Sequence, residues 1–162
     1  MDRPEVNWDE IWPNTVVHYI PYIPDEVFFK NVEFGSVVIF DDVYEDCIQS
    51  KAIARAFKIY SRRRFSIILI SQMVFEGGKF NRTIRNQCSA IVLFNNFADK
   101  SINKRLASQM GCLEQYKAAQ NHIGSQPYEP VVILSHQIIS HQAERVQVNY
   151  LNPKRSICFG SY

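Results

Sequence analysis

Two acidic residues directly follow a continuous apolar run in the first third of the chain. The run 37–40 reads Val-Val-Ile-Phe, the pattern of a strand buried on both faces, and Asp41 and Asp42 come next. In open α/β sheets, ligands bind beyond the carboxyl ends of the strands. A carboxylate there suits Mg²⁺, and a second one can orient or deprotonate a water that attacks a γ-phosphate. The pattern therefore predicts a magnesium and phosphate site at this strand end.

A second apolar run, 65–70, also ends in polar residues, Ser71 and Gln72. The amide of Gln72 can bond both a phosphate oxygen and a water. A simpler explanation exists for the acids, because Asp favours turns and helix N-caps. Two such strand ends with a helix between them favour the site instead. We interpret the first strand as a Walker B strand of a P-loop ATPase and the second as its neighbour.

The other half of such a site is missing from the sequence. A P-loop has the pattern G-x-x-x-x-G-K-[ST] after an earlier strand, and no segment of the 162 residues matches it. The pair Gly78-Lys79 is followed by Phe80 and comes after the acidic strand, so it is rejected as a P-loop. We expect a flexible loop there, with Lys79 solvated.

Hydrophobic periodicity supplies the elements that must position these residues. Apolar runs predict strands, and a three- to four-residue spacing predicts helices over 45–60, 99–110 and 113–122. Strands that alternate with helices predict an α/β three-layer fold with a mainly parallel sheet, in one domain. The predicted strands cover 15–20, 36–40, 65–70, 90–94, 130–134 and 146–150.

The only dense basic cluster is Arg62-Arg63-Arg64. It could contact phosphate, either in DNA or in a nucleotide across a subunit interface. It also closes a predicted helix, and a cation at a helix C-terminus is favourable by about 0.3–1 kcal/mol. Both explanations stay open.

From about residue 16 to residue 152, the chain resembles the C-terminal part of the viral DNA-packaging ATPases of the FtsK–HerA superfamily. The resemblance is to those of Maverick/Polinton-type elements and related animal viruses, and more distantly to the poxvirus packaging ATPase. The matching stretches are Ile23-Pro24-Asp25, residues 36–43 and 61–72, Phe75, Gly77, Lys79, Arg82-Thr83-Ile84, Asn86, residues 91–96, Asp99-Lys100, residues 106–110 and Pro127-Tyr128.

This resemblance implies a RecA-like ASCE P-loop core and a role for each matched polar residue. Asp41 would bind Mg²⁺, Asp42 would activate water and Gln72 would sense the γ-phosphate of ATP. Arg82 or Arg85 would complete the ATP site of a neighbouring subunit, with Arg82 preferred because it belongs to the matched Arg-Thr-Ile piece. A solvated helix face is the alternative for both arginines.

The implied protein is part of an ATP-dependent motor that moves double-stranded DNA into a viral capsid. It would form a homo-oligomeric ring or bind partner ATPase subunits, and Arg62, Arg63 and Arg64 would contact DNA. The resemblance divides the chain into an irregular segment 1–14, a partial P-loop ATPase domain 15–152 and a tail 153–162.

The missing Walker A segment leaves three alternatives open. The chain is a fragment of a longer ATPase, or a truncated or domesticated copy without ATP turnover, or another polypeptide supplies the P-loop. As an enzyme it would be an ATPase only with a Walker A segment, and alone we expect it to be inactive. The competing function is a non-catalytic module that binds partner subunits or DNA.

Composition limits where the protein works. Its net charge is +2, so bulk charge gives no argument for nucleic acid. No apolar run approaches the roughly 20 residues of a membrane span, and the N-terminus lacks the pattern of a secretory signal. Its four cysteines form no Cys-x-x-Cys pair and are expected to be free thiols. We expect an intracellular protein, in the host cytoplasm or nucleus or associated with the virion, without membrane contact.

Overall fold

A computed structural model describes residues 10, 13–60, 64–72, 77–94, 100–124, 126, 128–135, 144–150 and 156–159. The chain forms two compact units. The first comprises Met1–Ser71 and Gly78–Asn81, and the second comprises Gln72–Gly77 and Arg82–Tyr162. In the part of the chain that is described, no helix has the length and apolar character needed to cross a membrane.

The first unit contains a pair of parallel strands and short helices. In chain order its elements are α1 (Glu26–Asn31), β1 (Val37–Phe40), α2 (Tyr44–Gln49), α3 (Lys51–Arg55), a π-helix (Ala56–Tyr60) and β2 (Ser66–Leu69).

Polar caps define two of these helices. Asp25 is the N-cap of α1, where its carboxylate accepts a hydrogen bond from the Phe28 backbone N–H at 2.9 Å. The helix expected over 45–60 is interrupted at Ser50, whose backbone is extended and whose hydroxyl accepts from the Ile53 N–H. Serine competes for backbone hydrogen bonds in this way, so the single-helix prediction was wrong at this residue.

The strands β1 and β2 pair in parallel, with Val37 opposite Ser66 and Phe40 opposite Leu69. The strand predicted over 15–20 is absent, because those residues are irregular and the Val16 side chain is 79% exposed. Burial on both faces was also wrong for β1, since Val37 and Ile39 are 55% and 45% exposed.

An aromatic cluster forms the core of the first unit. Phe29 is fully buried, and its ring stacks on Phe65 with a centroid distance of 6.1 Å. The ring centroid of Phe40, the last residue of β1, lies 6.5 Å from that of Phe29. Tyr60 stacks on Phe65 at 6.2 Å. These contacts join α1, the π-helix and both strands, and so fix the strand pair that precedes the acids.

The loop around Gly78 is held against α2. The Phe80 N–H donates to the Ile48 carbonyl at 2.9 Å, and Ile48 is only 2% exposed. A Cβ atom on Gly78 would lie 2.5 Å from Ile48 Cγ1, which is far inside van der Waals contact. This glycine is therefore needed for a close approach of the backbone to a buried side chain.

Replacing Gly78→Ala is expected to destabilise the protein by about 1–3 kcal/mol, because the new Cβ would overlap the buried Ile48 side chain. Urea unfolding would measure the loss. Gly77→Ala is the matched control, since a Cβ there meets nothing within 4 Å. Equal unfolding midpoints for the two variants would contradict the close-approach role.

The second unit is built on an antiparallel sheet. Its elements are α4 (Asn81–Gln87, of which Asn81 belongs to the first unit), β3 (Ala90–Leu93), α5 (Lys100–Gln109), α6 (Leu113–Ile123), β4 (Val131–Leu134), β5 (Val146–Val148) and β6 (Ile157–Phe159). The strand order is β3-β4-β5-β6, and each neighbouring pair is antiparallel.

The expected fold, a three-layer RecA-like core with a mainly parallel sheet, was therefore wrong. Among the described strands, only β1 and β2 are parallel, in a two-stranded sheet separate from the four-stranded antiparallel one. All four residues of β4 are buried, so the run has no polar alternation to mark it as antiparallel. A fully buried strand has the same continuous apolar pattern in either direction. Strand β6, which lies within the expected tail 153–162, was not predicted.

One apolar cluster forms the core of the second unit. It joins one face of β3, β4 and β5 to α5 and α6. Its fully buried members, all 0% exposed, are Ala107, Cys112, Ala119, Val131, Ile133, Val146 and Val148.

Candidate functional site

The carboxyl ends of β1 and β2 lie side by side. The Ile70 N–H donates to the Phe40 carbonyl at 2.9 Å, which carries the parallel pairing one residue beyond β2. Asp41 directly follows Phe40, and Ser71 directly follows Ile70. Ligands of parallel sheets bind beyond the carboxyl ends of the strands, and Asp41 lies at that end of this strand pair.

Asp41 and Asp42 are both exposed, and neither is used as a helix cap. The N-cap of α2 is Val43, which makes no side-chain capping bond. Neither acid has a hydrogen bond or ion pair with any residue that the structure describes. Asp42 has φ +56°, in the left-handed region that Asp tolerates better than most residues. Capping therefore does not explain the acids, although a turn preference explains the conformation of Asp42.

This pair of carboxylates fits Mg²⁺ in one particular setting. Mg²⁺ is usually held through one or two carboxylates, with waters and substrate phosphates completing its shell. No group of three acidic, histidine or cysteine side chains that could enclose a metal occurs in the described part of the chain. If Asp41, with Asp42 beside it, held the ion, waters and the phosphates of a nucleotide would complete its shell. The bound ion would neutralise phosphate charge.

Gln72 is exposed and lies just past the end of β2. It belongs to the second unit, whereas Asp41 and Asp42 belong to the first. Asp41 and Asp42 thus belong to the same unit, and Gln72 does not belong to it.

The two candidate trans-acting arginines differ in their surroundings. Both lie on α4, but Arg82 is exposed, whereas Arg85 is half-buried and donates to the Gln109 side-chain oxygen on α5 at 3.4 Å. Arg85 thus has a partner inside its own unit. Arg82 is the better placed to meet a neighbouring molecule.

Arg64 lies at the amino ends of β1 and β2, opposite the end that carries the acids. Its carbonyl accepts from the Gly35 N–H at 2.7 Å, just before β1, and its guanidinium donates to the Lys30 carbonyl in the last turn of α1 at 2.8 Å. Four strand residues, roughly 13 Å of extended chain, separate it from Asp41. Arg64 therefore caps α1 and cannot share a phosphate with Asp41. Arg62 and Arg63 lie outside the described residues.

Burial makes two of the cysteines weaker nucleophiles. All four are free thiols, as expected. Burial, with help from the Asp46 carboxylate, raises the pKa of Cys47 to about 12. Burial also raises the pKa of Cys88 to about 11, although Arg85 opposes the increase. The protonated form of both thiols is thus favoured at neutral pH, whereas the thiolate is the nucleophilic form.

One charged residue of the core was missed by the sequence analysis. Arg145 stands directly before β5 and is only 7% exposed. The sole signal was its position, a cation next to the apolar strand that begins at Val146. An isolated arginine at a strand start gives no information about burial, because its long side chain can reach solvent from most sites.

Comparison of the chain with protein-family models, with curated proteins and with solved structures finds no match.

Proposed function

We propose that this chain supplies the magnesium-binding and water-orienting half of an ATP site in a motor that packages double-stranded DNA. A segment carrying a Walker A loop would supply the other half. The proposal rests on one observation. Asp41 and Asp42 are exposed at the carboxyl end of a parallel strand pair, and neither of them caps a helix. The resemblance to viral packaging ATPases supplies the motor and the DNA substrate.

In this proposal three residues of the chain have separate roles. Asp41 holds the cation that accompanies the nucleotide, and Asp42 orients the attacking water. Arg82, exposed on α4, stabilises charge on the phosphates of a neighbouring subunit's nucleotide. Phosphoryl transfer depends on positioning and charge neutralisation, and these side chains supply both.

Calorimetric titration of this chain with ATP, with and without Mg²⁺, tests the proposal. We expect binding that requires Mg²⁺ and that weakens at least tenfold in Asp41→Asn. Glu33→Gln is the matched control, because Glu33 is an exposed carboxylate just before β1, at the other edge of the strand pair. ATP binding that is absent, or that does not respond to Mg²⁺ and to Asp41→Asn, would overturn the proposal.

A second candidate function is a non-catalytic module that binds partner subunits. It is favoured by the outer face of the parallel pair, where apolar side chains are 45–55% exposed: Val37, Ile39, Ile68 and Ile70. Parallel sheets are ordinarily covered on both faces, so this face suits a partner. The same titration separates the two functions, since a non-catalytic module would show no magnesium-dependent ATP binding.

A further inference from the structure

The described part of the chain leaves one face of the parallel strand pair largely uncovered. This outer face consists of four exposed apolar side chains: Val37, Ile39, Ile68 and Ile70. The inner face packs on helices, since the ring centroid of Phe40 lies 6.5 Å from that of Phe29, which is fully buried in α1. Parallel strands are ordinarily covered by helices on both faces, so the outer face lacks its layer.

Four carboxylates stand at the carboxyl end of the strand pair. Asp41 and Asp42 directly follow β1, and Glu45 and Asp46 lie in the first turn of α2. All four are exposed, and none takes part in an ion pair with a described residue. The carboxyl end of the outer face is therefore negatively charged, without a cation of the described chain paired to it.

The amino end of the strand pair has a different charge. Arg64 lies there, and its guanidinium donates to the carbonyl of Lys30, so two cations stand close together. Glu33 is the exposed acid before β1. The acidic charge is thus concentrated at one end of the apolar face, which gives the face a direction.

We propose that the outer face binds an amphipathic helix of a partner polypeptide, which carries lysine or arginine residues in the turn nearest Asp41 and Asp42. Apolar side chains at helical spacing would cover the strands, as helices do on parallel sheets. Opposite charges at one end select this partner over a neutral or acidic helix and fix its register. The inference rests on the second candidate function, in which this face binds a partner, and it does not require ATP binding.

The size of the face sets the length of the helix. β1 has four residues, which span roughly 13 Å of extended chain. A helix rises about 1.5 Å per residue, so about nine residues cover that distance, and one further turn brings the cations over the acids. A segment of about 13 residues is therefore long enough.

Fluorescence anisotropy of labelled synthetic peptides, titrated with this chain in the absence of Mg²⁺ and nucleotide, tests the inference. One peptide is a leucine-rich amphipathic helix of about 13 residues with lysines in its last turn, and the other carries glutamates at the same positions. We expect saturable binding of the lysine peptide and at least about tenfold weaker binding of the glutamate peptide.

Two sets of variants locate the binding surface. Ile39→Thr and Ile68→Thr remove apolar area but keep a residue that favours strands, and each should weaken binding of the lysine peptide at least about threefold. Val27→Thr is the matched control, because Val27 is an equally exposed apolar residue on α1 and should leave binding unchanged. Glu45→Gln combined with Asp46→Asn should reduce the preference for lysine over glutamate.

The proposal fails if the lysine peptide does not bind, if the two peptides bind equally, or if Ile39→Thr and Val27→Thr behave alike. Sedimentation of the chain alone tests the other occupant. A dimer that Ile39→Thr dissociates would assign the face to a second copy and overturn the partner helix. Peptide binding without Mg²⁺-dependent ATP binding would overturn only the proposed ATP site, whereas ATP binding without peptide binding would overturn only this inference.

Discussion

Replacing Asp42→Asn is expected to lower ATP turnover by about 10²–10⁴-fold in the motor assembled with its Walker A segment, while Mg²⁺-dependent ATP binding is kept. The amide cannot accept the proton of the attacking water, which is the role proposed for this carboxylate. Asparagine adopts the left-handed backbone at least as readily as Asp, so φ +56° at this residue adds no strain to the variant. The fold should therefore be preserved.

Single-turnover kinetics would measure this loss, and equilibrium binding of ATP would show that the nucleotide is still held. Glu33→Gln provides the control, because it removes an exposed carboxylate at the opposite edge of the strand pair. Turnover by Asp42→Asn within twofold of the wild-type rate would contradict the water-orienting role. Loss of ATP binding together with turnover would instead assign Asp42 to cation binding.

The largest loss of stability is expected for Phe29→Ala, at about 3–5 kcal/mol. Phe29 is fully buried, and its ring contacts both Phe40 and Phe65, so its removal opens a cavity between α1 and the two strands. Such a loss is a large share of the 5–15 kcal/mol that typically stabilises a domain.

Urea unfolding followed by circular dichroism would measure the change in the free energy of unfolding. Phe34→Ala is the matched control, since Phe34 is 84% exposed and its loss should cost less than about 0.5 kcal/mol. Similar unfolding midpoints for the two variants would show that the aromatic cluster does not hold the first unit together.

The strand pair that carries the acids could be predicted from the sequence. Each strand is a mainly apolar run rich in valine or isoleucine, and the helical segment between them makes parallel pairing the expected connection. The end of each apolar run also marks the polar residues that follow it, which are Asp41 and Asp42 after the first strand and Ser71 and Gln72 after the second. The sequence could not show that neither acid caps a helix, because that depends on which residue becomes the N-cap of α2. In the structure this residue is Val43.

The antiparallel sheet could not be predicted in the same way. The residues of β4 are apolar at every position, and a pattern without alternation says nothing about the direction of the neighbouring strand. The break at Ser50 did have a signal, since serine is a favoured N-cap, but the surrounding helical spacing concealed it. The position of Arg145 next to an apolar strand did not show its burial, because the burial of a lone arginine depends on the elements packed around it.

The π-helix Ala56–Tyr60 makes the length of its segment important. A π-helical turn holds one more residue than an α-helical turn, so it changes the angular phase of every side chain that follows. Five residues of π-helix turn the chain about as far as four residues of α-helix, so deleting one residue here and restoring an α-helix would leave Tyr60 at nearly the same angular position. Tyr60 would then keep its contact with the Phe65 ring, which it now meets at an interplanar angle of 19°. A single-residue deletion in this short stretch should therefore disturb that contact less than the same deletion in a regular α-helix.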